Sequence, residues 1–167
     1  VRDLTPLRGM PLTELYLSNT PVEDLSPLTG LPITRLNLLG TPVSDLSPLR
    51  DLPLESLWLN ETPVSNISPL SRCPLVSLTL HRTRVTNLSP LGGSTLQRLH
   101  IGETPVTDLT PLRGLPLTRL IYDPRKITRG NDIPRAMPTL RELGLTLEGM
   151  MPPAQFWAQF PEATPAK

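Results

Sequence analysis

Hydrophobic residues along this chain recur with a fixed 21-residue period. Leu15, Leu36, Leu57, Leu78, Leu99 and Leu120 form one column, and Leu17, Leu38, Leu59, Leu80, Ile101 and Tyr122 a second. Thr20, Thr41, Thr62, Thr83 and Thr104 mark a polar column, followed by Val22, Val43, Val64, Val85 and Val106. A Leu-Ser/Thr-Pro-Leu tetrad returns from Leu4 to Leu112. A constant period of this length predicts a solenoid, whose units cannot bury their own apolar faces and become stable only by stacking.

Within one unit, Leu15 and Leu17 stand two apart, so both point to one face of a short strand while Glu14, Tyr16 and Ser18 face the other way. Thr20 turns the chain and Pro21 keeps it extended. Asp24 to Leu28 reads as a short 3₁₀ turn with Ser26 as N-cap and Pro27 at the first helical position. Gly30, Leu31 and Pro32 close that turn, because a residue before proline avoids the helical region. The expected fold class is α/β: a right-handed horseshoe with short parallel strands on the concave face and 3₁₀ turns on the convex face.

The segment Leu12-x-x-Leu15-x-Leu17-x-x-Thr20-x-Val22-x-Asp24-Leu25-x-Pro27-Leu28 resembles the short repeats of internalin-like bacterial leucine-rich-repeat proteins. Threonine stands where that family carries a turn asparagine, so the side-chain ladder is expected to be thinner here. The ending carries a second resemblance. Asp123-Pro124, Thr128, Gly130, Ile133, Ala136-Met137 and Leu140, then Ala154, Phe156 and Trp157, resemble the C-terminal repeat regions of bacterial serine/threonine protein kinases. That resemblance implies a sensor or scaffold arm beside a kinase. The chain itself carries no glycine-rich loop, no catalytic-loop His-Arg-Asp and no Asp-Phe-Gly.

The repeat array is expected over residues 1–147. Its last unit, about 123–147, is degenerate, with Leu140 two residues late. Residues 148–167 form a C-terminal capping segment and tail, in which prolines start a short helix that lays Phe156 and Phe160 over the last rung. The array starts in mid-repeat at Val1, which leads us to expect further sequence upstream and an uncapped first repeat able to self-associate. At Gly92-Gly93-Ser94-Thr95, a serine in a core slot predicts a loosened back turn.

Composition narrows the chemistry. The formal net charge is +1, from 16 basic and 15 acidic residues, which gives nucleic acid no attractive field. No apolar run is long enough to cross a bilayer. Cytoplasmic and extracytoplasmic placement both stay open. The single Cys73 falls in the column of Leu31, Leu52 and Leu115 and reads as a small buried apolar residue. Two histidines without a close thiol or carboxylate predict no metal site, no cofactor and no catalytic centre. The sequons at Asn60, Asn66 and Asn87 arise from the repeat wording.

The strand face is where a ligand is expected. Its outward columns read Tyr16, Asn37, Trp58, Thr79, His100, Ile121; then Glu14, Arg35, Ser56, Ser77, Arg98, Arg119; and Ser18, Leu39, Asn60, His81, Gly102, Asp123. Tyr16 and Trp58 are flat amphipathic anchors of the kind enriched in binding hot spots. The candidate protein- or peptide-binding residues are Tyr16, Asn37, Leu39, Trp58, His81 and His100, flanked by Arg35 and Arg98. The expected function is non-enzymatic recognition within a larger signalling protein. A structural or self-assembling spacer is the alternative.

Overall fold

The computed structural model describes residues 1–161; the last six positions of the expected tail lie outside them. Seven three-residue strands, β1 (Glu14–Tyr16), β2 (Arg35–Asn37), β3 (Ser56–Trp58), β4 (Ser77–Thr79), β5 (Arg98–His100), β6 (Arg119–Ile121) and β7 (Glu142–Gly144), form one open parallel sheet in chain order. Register follows the period: Leu15 pairs with Leu36, Leu36 with Leu57, and so on to Leu120. The last step pairs Leu120 with Leu143, two residues beyond the period, and this places Leu140 in its late core slot.

Ahead of each of β1 to β6 the chain passes through a short 3₁₀ turn, Thr5–Leu7, Ser26–Leu28, Ser47–Leu49, Ser68–Arg72, Ser89–Leu91 and Thr110–Leu112, and these stack behind the sheet. The leucine and valine columns fill the space between the two layers, nearly all of them buried. Leu15 is half-exposed because β1 is the edge strand, with a neighbour on one side only. Cys73 is buried in its leucine column, and burial pushes its thiol pKa up.

The serines do not cap the turns. Each turn starts at the serine or threonine itself, and no side-chain bond comes from the residue before it. The cap comes from two residues upstream: Asp24 Oδ1 accepts from the Ser26 N–H at 2.8 Å. Asp3, Asp45, Asn66, Asn87 and Asp108 repeat this bond at 2.8–3.0 Å. The side-chain oxygen of an aspartate or asparagine readily accepts from the N–H two residues further on, an Asx turn, so the Asx residue takes the role expected of Ser26.

The threonine column forms no inter-coil ladder at all. Thr20, Thr41, Thr62, Thr83 and Thr104 each donate their hydroxyl to the carbonyl three residues earlier, at 2.7 Å. Four are buried, so the bond satisfies a hydroxyl that would otherwise lose its water. The residue just before each threonine takes the left-handed conformation: Asn19, Gly40, Glu61, Arg82 and Glu103. A second left-handed column runs through Gly30, Asp51, Gly93 and Gly114 at the exit of the 3₁₀ turns. At Arg72, in the same column, the chain does not turn left-handed and the 3₁₀ turn lengthens to five residues instead.

The turn at Gly92-Gly93 is not loosened. Ser89–Leu91 keeps the ordinary 3₁₀ bonds, and the Ser94 N–H donates to the Leu91 carbonyl at 3.2 Å like its counterparts. The serine instead leaves a buried hydroxyl with no partner among the described residues.

Past β6 several residues of the second resemblance have a structural task. Asp123 accepts from the Arg125 N–H at 3.0 Å and opens a 3₁₀ turn with Pro124 buried. Gly130 has φ +77°, and a Cβ there would lie 2.8 Å from the Thr110 nitrogen, so the backbone of one coil passes directly over the next. Ile133, Leu140 and Leu143 extend the core. Helix α1 (Pro153–Gln159) then drives Phe156 fully into it, 6.1 Å from the Tyr122 ring and 4.9 Å from Phe160. Arg135 lies over the Trp157 ring at 4.2 Å and donates to the Phe160 carbonyl at 2.7 Å, tying α1 to the preceding turn.

Candidate functional site

The alternation of the strands puts Tyr16, Asn37, Trp58, Thr79, His100 and Ile121 in one outward column, and the register pairs confirm the order. Exposure divides that column. Tyr16 is 57% exposed, and Asn37, Trp58 and Thr79 are half-exposed. His100 and Ile121 are 6% and 1% exposed. His100 therefore faces the strand side as its parity requires, yet offers almost no surface.

Two features close that half of the face. After β7 the chain doubles back, and Leu143 and Met151 exchange both backbone hydrogen bonds at 2.9 Å. The intervening loop lies against the strand side: a Cβ on Gly144 would meet Met150 Sδ at 2.8 Å. On the next rungs, His81 swings over Gly102, and its Nδ1 bonds the Gly102 carbonyl at 3.0 Å. Its ring stacks on His100 at 4.8 Å, which a side chain at Gly102 would prevent.

His100 is consequently held neutral. Burial, and then the facing His81, push its pKa down to about 4 despite Glu103 and Glu148 nearby. Neither ring nitrogen has a partner among the described residues, and the Thr79 hydroxyl on the neighbouring strand is equally unpartnered. The two imidazoles gather no third ligand: no group of three His, Cys, Asp or Glu residues placed to hold a metal exists among the described residues.

The open half is an aromatic patch with a polar border. Tyr16 and Trp58, on strands two apart, approach to 6.5 Å across Asn37, with Leu39 half-exposed beside them. The Tyr16 hydroxyl donates to Glu14, which also receives Arg35 at 3.3 Å. Asn37 Oδ1 accepts from the Leu39 N–H, and Asn60 Oδ1 from the His81 N–H one coil on. Arg82 is clamped between Glu61 and Glu103, and Arg119 bonds Glu142. Arg98 is exposed and has no ion pair among the described residues. Asn60 was not among the sequence candidates. Its signal was its place two residues past Trp58, on the same side of the chain.

Three-residue parallel strands stacked at the repeat period, with 3₁₀ turns behind them, define a leucine-rich-repeat solenoid. No family model and no curated protein sequence matches the chain. Solved structures do. An internalin C2 of Listeria monocytogenes is 36% identical, with a TM-score of 0.72, over 77% of this chain and 59% of that one. The internalin inlF of the same organism is 25% identical, with a TM-score of 0.50, over 85% of this chain and 56% of that one. The chain is a leucine-rich-repeat protein with internalin-like short repeats, and it spans somewhat over half the length of either internalin structure.

Proposed function

We propose that this chain is a protein-recognition module that binds through the open half of its strand face and catalyses no reaction. The observation that carries this reading is the pairing of exposed Tyr16 with half-exposed Trp58 on a parallel sheet, bordered by Asn37, Leu39, His81, Arg35 and Arg98. Side chains on such a ladder are held at fixed spacing, so little entropy is lost when a partner docks. The likeness to internalins supports an interaction module. The ending that resembles kinase-associated repeats supports a place as sensor or scaffold arm of a larger bacterial signalling protein.

Affinity capture from bacterial extract with the wild-type chain and with Trp58→Ala, compared by quantitative mass spectrometry, tests the reading. Partners retained by the first and lost from the second are expected; an identical set from both would refute it. A second reading, self-association along β1, draws on half-exposed Leu15 and exposed Met10. Sedimentation velocity over a hundredfold concentration range separates it: one monomeric species throughout excludes the rod.

A further inference from the structure

The open half of the strand face presents free N–H donors around Trp58. Each asparagine on it has its oxygen committed to a main-chain N–H, and a main-chain N–H can only donate. The carboxamide orientation is therefore dictated, and the NH₂ groups of Asn37 and Asn60 face outward on either side of Trp58. The carboxylates bordering the patch, Glu14 and Glu61, are already engaged by Arg35 and Arg82. Arg98 adds an unpaired guanidinium two strands beyond Trp58.

From this arrangement we infer that the partner presents an acidic, extended peptide segment, with an aromatic side chain laid on Trp58 and a carboxylate received by Arg98. The inference rests on the reading of the strand face as a protein-binding surface. A carboxylate accepts only, which suits a border of donors and makes a charge-assisted bond with a guanidinium. Trp58 is in register with His100, so Arg98 lies two strands on and two residues back along the strand, about 12 Å away between backbones, a span that three extended residues and the long Arg and Glu side chains cover. The segment thus crosses the strands along the solenoid with an aromatic-x-x-acidic spacing. Beyond Arg98 the hairpin loop after β7 and the His81–His100 stack end the footprint.

The test uses two fluorescein-labelled hexapeptides, Ser-Trp-Ser-Ser-Glu-Ser and the same sequence with Lys for Glu, titrated with the protein to millimolar concentration by fluorescence polarisation. The acidic peptide is expected to bind at least tenfold more tightly than the basic one. Arg98→Glu should abolish or invert that preference. Asn60→Asp keeps the oxygen that holds the His81 N–H but replaces the donor, and should weaken the acidic peptide at least fivefold with an unchanged melting temperature. Equal affinities, no binding of either peptide, a preference that survives both substitutions, or binding of maltoheptaose in place of the peptides would each overturn the inference. If capture is still Trp58-dependent in such a case, protein recognition stands and only the acidic chemistry falls.

Discussion

Acid should destabilise this fold through one imidazole. His100 titrates at about 4 when folded and near 6.5 when the chain is open, because burial and the facing His81 disfavour its charged form. The unfolded state therefore binds a proton that the folded state refuses. Its stabilising contribution is complete above pH 6.5 and is lost as pH falls through that value toward 4. With these two values the loss between pH 7 and pH 5 comes to about 2 kcal/mol, a sizeable share of a single domain's stability.

The informative substitution is His100→Ile, since Ile121 fills the same outward column on the next strand and is buried there. Urea unfolding followed by far-ultraviolet circular dichroism at pH 7 and pH 5 should show the wild-type chain losing about 2 kcal/mol more than the variant. The capping carboxylates Asp24, Asp45 and Asp108 have pKa values lowered by their turn hydrogen bonds. They stay ionised at pH 5 in both proteins and cancel from the difference. Parallel losses in the two proteins would refute the argument, as would an imidazole titration near 6.5 for His100 by NMR.

Two glycines of nearly the same φ, Gly30 at +74° and Gly130 at +77°, should respond differently to alanine. Gly30→Ala, at φ +74° with nothing within 4 Å of the new Cβ, should cost only the left-handed conformation, about 1 kcal/mol. Gly130→Ala adds a 2.8 Å approach to the Thr110 backbone and should cost clearly more by thermal melting. Phe156→Ala empties the fully buried ring site under α1 and should remove about 3–5 kcal/mol in chemical denaturation, while a tail merely resting on the surface would lose under 1 kcal/mol.

What was legible in the residues was whatever repeats. A leucine at 21-residue intervals beside a second one two positions on leaves one face and one register available, because a one-residue slip would put Leu36 on the solvent side. The late slot of Leu140 was legible for the same reason, as a displacement from a known column. Roles shared within a loop were less so. Asp24 and Ser26 both satisfy capping chemistry on paper, and only the backbone path shows that the aspartate does it.

The part that could not be read is the part that shapes the candidate site. Alternation assigns His100 and Trp58 to the same face and says nothing about what lies above each. Their difference is made elsewhere: by Gly102, whose missing Cβ lets the His81 ring fold down, and by Gly144, whose missing Cβ admits the returning loop at Met150. Both glycines interrupt columns that hold larger side chains on earlier rungs, Leu39 and Asn60 in one case, Tyr16 and Trp58 in the other. Deleting a side chain at those two positions covers the far half of a face that would otherwise be open from end to end. Aromatic exposure then survives only over the first strands, so the repeat supplies a uniform surface and its exceptions decide where on it a partner can dock.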